Sequence, residues 1–182
     1  MNYQLLFIQG GGGEDDHKAD ARMVTSLQEN LGNDYIIHYP LLTDDESLPD
    51  FGRKNQIENE ISKLNGEIIL VAHSLGASLL LKYLSENNVE KIILGIFLIS
   101  TPFWSGNEEW VQGLKLQKEF KNNLPQNSPI FLYHCKDDEE VPFAHLKLYA
   151  RSLPHATIRE IPSGGHQLNN DLSILAVDIK SL

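Results

Sequence analysis

Two hydrophobic periodicities alternate along this chain from end to end, and that alternation restricts its fold more than any other feature. Short apolar runs rich in β-branched and aromatic residues fall at Tyr3–Ile8, Tyr35–Tyr39, Ile68–Ala72, Ile92–Ser100, Ile130–Cys135 and Thr157–Ile161. Most carry adjacent large apolar residues, the pattern of a strand buried on both faces of a parallel sheet. Between them the apolar positions step by three and four: Val24, Leu27 and Leu31; Ile57, Ile61 and Leu64; Leu75, Leu79 and Tyr83; Leu146, Tyr149 and Leu153; Leu172, Leu175 and Ile179. Each stripe lays one helix face on a sheet. Breakers such as Gly32-Asn33, Pro40, Gly66, Pro102, Pro142, Pro154 and Pro162 sit where the period changes. The alternation predicts one three-layer, doubly wound α/β domain over residues 1–182, with a mostly parallel sheet of about six strands. In such a sheet a functional site belongs in the loops beyond the carboxyl ends of the strands.

One connection is longer than the others. Residues 101–128 carry Phe103, Trp104 and Trp110 and a predicted helix from Leu114 to Asn123. The segment is too short for a separate cap domain but long enough to roof a pocket. Its three aromatics read equally as core or as substrate-binding residues lining an acyl pocket.

Charge and cysteine content narrow the function classes. Fifteen basic against 25 acidic residues give a net charge of −10, which argues against a nucleic-acid or anionic-membrane partner. The longest apolar stretch, Ile92 to Ile99, is far short of the ~20 residues a membrane helix needs. The opening Met-Asn-Tyr-Gln runs straight into Leu5-Leu6-Phe7-Ile8 with no basic leader, so a cytoplasmic location is expected. Cys135 is the single cysteine, and His17, His38, His145 and His155 are scattered, so no metal site is expected.

The sharpest local signal is Ala72-His73-Ser74-Leu75-Gly76, between a buried strand and a helix. Small-x-Ser-x-Gly at that junction makes a tight turn that projects the serine above the sheet edge. The Leu75 amide, at the helix N-terminus, then points at any negative charge that develops beside the serine. By itself such a pentapeptide is common by chance, and a helix N-cap is the plain reading of Ser74, one that Ser-x-x-Ala without an acidic third residue does not strengthen; the strand–turn–helix context favours a nucleophile. His73, beside it, reads as a framework residue.

A serine nucleophile needs a base oriented by a third group. His166 lies in the glycine turn Ser163-Gly164-Gly165-His166 after the last strand, where a side chain can reach the Ser74 turn; a surface-turn histidine is the plainer reading. The run Asp137-Asp138-Glu139-Glu140 follows the strand ending at Cys135. It would ordinarily be a solvated loop, yet one of its carboxylates can turn inward to an imidazole. At the end of the first strand stands Gln9-Gly10-Gly11-Gly12-Gly13. A P-loop needs Gly-Lys-Ser/Thr, which is absent. A dinucleotide fingerprint needs glycine where Asp15 stands and an acid where His38-Tyr39-Pro40 closes the second strand. An oxyanion loop survives, with the Gly11 N–H, or Gly12's in its place, joining that of Leu75.

Together these residues resemble the α/β-hydrolase superfamily. More narrowly they resemble its small single-domain serine hydrolases of the retinoblastoma-binding-protein-9 type, over nearly the whole chain. In that superfamily the acid commonly falls four residues after a His-Gly-type strand end and four before the proline of a Val-Pro pair. Counting from His134 and from Val141-Pro142, both lead to Asp138. Departures are Ala72 and Cys135 where glycine is usual, and Gln9 where histidine often precedes the oxyanion glycines. The resemblance implies a minimal six-stranded version of the fold and a catalytic triad of Ser74, Asp138 and His166. It also implies an oxyanion hole from Gly11 and Leu75, and no cofactor or metal. The implied reaction is hydrolysis of small or medium acyl esters, with kcat/KM rising through a His166 pKa near the ordinary ~6.5. Thioester or amide hydrolysis uses the same residues. A non-catalytic module is the third reading, because the resembled type is named for a protein partner and fold does not fix function.

Overall fold

The computed structural model describes residues 2–182. Six strands, β1 (Tyr3–Ile8), β2 (Tyr35–His38), β3 (Ile68–His73), β4 (Ile93–Ile99), β5 (Ile130–Cys135) and β6 (Thr157–Ile161), form one sheet in the order β2-β1-β3-β4-β5-β6. Every neighbouring pair is parallel. The order reverses direction at β1, which lies between β2 and β3. The carboxyl ends of β1, β3, β4, β5 and β6 therefore present Gln9, Ser74, Ser100, Lys136 and Pro162 along one edge.

Alternation along each strand separates two cores. Leu6 and Ile8 of β1, Leu70 and Ala72 of β3, and Ile96 and Leu98 of β4 face one side. Helices α2 (Arg53–Lys63), α3 (Ser74–Glu86) and α6 (Ala144–Ser152) cover that side with Ile57, Ile61, Leu79, Leu80, Leu146 and Tyr149. Leu5, Phe7, Ile69, Val71, Phe97 and Ile99 face the other, under α1 (Glu14–Leu31) and α7 (Ser173–Lys180). At ~25 cal/mol per Å² of apolar surface removed from water, these two layers dominate the stabilisation. No helix among the described residues is long and apolar enough to cross a membrane.

The helix expected from Leu114 to Asn123 does not form. Two single turns, α4 (Glu109–Gln112) and α5 (Phe120–Asn123), flank an irregular stretch instead. Leu114 is buried and Leu116 packs on the same core cluster. A helix turning 100° per residue would have put these two on opposite faces, so tertiary packing overrides the local periodicity. Gly113 lies so close to the backbone of Pro49 that any side chain there would collide with it, which ties this connection to the β2–α2 loop.

Candidate active site

Ser74 occupies the junction between β3 and α3 with φ +50°, a left-handed conformation that costs an L-residue roughly 1–2 kcal/mol. The turn is forced by crowding. A Cβ at Gly76 would collide with the Gln9 carbonyl and lie 2.9 Å from Ile8 Cγ2, so only glycine lets α3 approach β1 this closely. Ser74 heads α3, and the first four N–H groups of a helix, Leu75's among them, have no intrahelical acceptor.

His166 follows the two turn glycines, Gly164 (φ +149°) and Gly165 (φ +62°). The Asp137 carboxylate accepts both of their N–H groups, at 2.9 and 3.0 Å from Oδ1. The His166 carbonyl accepts from Ser100 Oγ at 2.9 Å and lies 3.1 Å from His73 Nε2. The imidazole is thereby fixed through its own backbone. Its Nδ1 lies 3.0 Å from both oxygens of Asp138, whose side chain is fully buried.

Asp138 is held in turn by the N–H groups of Glu140 and Val141, at 3.0 and 2.9 Å, and by His134 Nε2 at 3.2 Å. Burial alone would raise its carboxyl pKa. The bonds from His134, His166 and the Val141 N–H outweigh burial and hold it well below the usual carboxylate range. Burial likewise pulls the His166 imidazole down, but the hydrogen bond and charge of Asp138, helped by Glu140 and Asp20, leave it raised above the ordinary 6.5. Among the described residues no hydrogen bond joins Ser74 to His166 Nε2, which instead faces the Glu140 carboxylate at 3.7 Å.

The glycine loop lies against the Ser74 turn. A Cβ on Gly10 would sit 3.0 Å from His73 Nδ1 and 3.2 Å from Ser74 Cβ, so the loop backbone touches the elbow. The Gly10 N–H donates to Asp20 Oδ2 at 2.8 Å, and the same oxygen lies 2.9 Å from His73 Nδ1. Gln9 Nε2 bonds the carbonyls of Gly11 and Gly13 at 3.1 and 3.2 Å. The Gly11 and Gly12 N–H groups have no protein acceptor among the described residues.

A strained serine after β3, a buried carboxylate–imidazole pair and a loop with free N–H groups thus meet at one sheet edge. The serine hydrolase family model matches residues 53–172, well over half of the chain. This chain belongs to the serine hydrolase family. YdeN of Bacillus subtilis (strain 168), a protein named as a candidate hydrolase, is 30% identical over 113 residues, 59% of this chain and 57% of YdeN. The match thus spans little more than half of that relative's length. Est1E from Butyrivibrio proteoclasticus is similar in structure, with a TM-score of 0.71 at 16% identity over 99% of this chain and 86% of that one. A candidate hydrolase of the alpha/beta superfamily from Xanthomonas campestris pv. campestris superposes over 100% of both chains, with a TM-score of 0.64 at 20% identity. The fold is the α/β-hydrolase fold, with an all-parallel sheet.

In this serine hydrolase family member the three aromatics of the 101–128 connection divide. Phe103 and Trp104 pack partly buried on the α3 side of the core and line a cavity of about 170 Å³ with Ser105, Lys115 and Leu116. Trp104 Nε1 donates to Ser78 Oγ at 2.9 Å, and the Phe103 N–H to His145 Nδ1 at 2.9 Å. Trp110 does not line that cavity. It is 58% exposed and meets Trp104 edge-on at 5.5 Å, because α4 is a single turn that carries it outward.

Sequence reasoning missed Asp20, Arg53 and Asp44. Arg53 is buried, ion-paired to Asp44, and donates from Nη2 to the Gly10 and Gly11 carbonyls. A signal existed. Asp20 continues the buried stripe Met23, Leu27 and Leu31, and Arg53 continues Ile57 and Ile61. A charge at the head of an apolar stripe must either find a buried partner or disrupt the packing.

Proposed function

We propose that this protein hydrolyses small or medium acyl esters, with Ser74 as nucleophile, His166 as general base and Asp138 as the carboxylate that orients it. Ser74 Oγ attacks the acyl carbonyl as its proton passes to His166 Nε2. The oxyanion is held by the Leu75 and Gly11 N–H groups. The tetrahedral adduct then collapses, His166 returns the proton to the departing alcohol, and water cleaves the acyl-enzyme by the same route.

The observation that carries this reading is the His166–Asp138 hydrogen bond beside the elbow serine. Asp138 at Nδ1 fixes the tautomer that leaves Nε2 as the acceptor the serine proton requires. A serine–imidazole bond that closes only when substrate fills the site is ordinary for such enzymes. Phe103 and Trp104 are the apolar wall offered to the acyl group.

Nitrophenyl esters of graded chain length test the reading. Est1E has been solved with ferulic acid bound, so a feruloyl ester extends the panel. Turnover that disappears in Ser74→Ala, together with fluorophosphonate labelling of Ser74, is expected. Turnover that survives Ser74→Ala would refute the assignment.

A further inference from the structure

Arg53 opens α2 with its side chain 0% exposed. Its Nε pairs with Asp44, and Nη2 donates to the Gly11 carbonyl at 2.5 Å and reaches the Gly10 carbonyl at 3.4 Å. Nη1 has no acceptor among the described residues. A buried ion pair is a weak source of stability, and an unpaired buried N–H opposes folding. An apolar side chain continuing Ile57 and Ile61 would serve the core better. What Arg53 supplies instead is control over two peptide planes.

A trans peptide is planar, and its C=O and the following N–H point in opposite directions. With the Gly10 carbonyl turned to Arg53, the Gly11 N–H faces away from it. With the Gly11 carbonyl turned the same way, so does the Gly12 N–H. Neither of these N–H groups has a protein acceptor among the described residues. Glycine peptides rotate at little steric cost, so nothing intrinsic to four glycines keeps those N–H groups outward. Gln9 helps at the Gly11 carbonyl; at the Gly10 carbonyl Arg53 is the side-chain donor.

We propose that Arg53, neutralised by Asp44, is a positioning residue that locks the Gly10–Gly12 backbone with its N–H groups aimed at the oxyanion. The proposal rests on reading Ser74 as the nucleophile and this loop as the oxyanion hole. Arg53 touches no reacting atom; it acts through the peptides it holds. A lysine cannot replace it, because one ammonium cannot serve Asp44 and two carbonyls in the fork geometry of a guanidinium.

The test uses the full chain with Arg53→Met, Arg53→Lys and Asp44→Asn, each checked by circular dichroism and thermal melting. Steady-state ester hydrolysis is measured beside inhibition by a trifluoromethyl ketone, whose serine adduct carries the same oxyanion. Loss of one oxyanion donor typically lowers kcat by about 10²–10³. For disorientation a loss of about 10- to 100-fold in kcat is expected in folded Arg53→Met. KM should change little, the ketone should weaken by a comparable factor, and lysine should not rescue. A merely structural role would lower the melting temperature and leave kcat and ketone affinity per folded molecule unchanged. That outcome overturns the proposal.

If Arg53→Met does not fold, Arg53→Lys and Asp44→Asn must show the same kcat-selective loss, and wild-type kcat in both overturns it equally. Wild-type protein that fluorophosphonate does not label at Ser74 takes down the nucleophile reading and this proposal together. Labelled, active wild-type protein with unimpaired variants removes this proposal alone.

Discussion

The Nδ1 of His166 lies 3.0 Å from each oxygen of the Asp138 carboxylate, across 28 residues of chain. Burial opposes the protonated ring, but its setting favours it on balance: Asp138 hydrogen-bonds it, Glu140 faces Nε2, and Asp20 adds a buried negative charge.

The consequence is a pH dependence displaced from the value expected of a free imidazole. A general base works only when neutral, so kcat/KM should rise with pH through a midpoint above 6.5. Glu140→Gln removes a raising charge and should move that midpoint down. The pair's stabilising effect has the matching sign. The His166 contribution is full below 6.5 and is lost as pH rises through the raised folded value, whereas the Asp138 contribution is present above 3.8 and is lost as pH falls. A pH–rate profile of both proteins measures the first two effects; a midpoint at or below 6.5 in the wild type contradicts them.

Asp137 and Asp138 are neighbours with different partners. Asp138→Asn should lower kcat by about 10³–10⁴, because the amide no longer enforces the required imidazole tautomer. Asp137→Asn keeps an oxygen for the Gly164 and Gly165 N–H groups and should lower kcat by less than about tenfold, within the spread of positioning effects. Comparable losses in the two variants would contradict this division.

The left-handed Ser74 backbone gives a stability prediction independent of chemistry. Ser74→Gly should melt above Ser74→Ala, since glycine adopts φ +50° without the roughly 1–2 kcal/mol penalty of an L-residue. At about 2–4 °C per kcal/mol for a domain of this size, differential scanning calorimetry resolves the difference. Equal melting temperatures would mean that the elbow carries no backbone strain.

The amino-acid sequence determined the alternation of strands and helices, because burial on two faces and burial on one stripe leave different periods. It also placed Ser74, His166 and the glycine loop at strand ends, where turn chemistry is local. Asp138 was separated from Asp137 by resemblance rather than by physics, since neighbouring carboxylates look alike until a partner is positioned. Tertiary structure decided the rest. Leu114 and Leu116 were drawn to one core at the expense of a helix, and Trp110 was carried outward. Asp20 met a donor 53 residues away, and Arg53 an acceptor 42 residues away. A residue's period reports which way it faces; only the folded chain supplies what it faces, because hydrogen bonds between distant segments leave no repeat in the sequence.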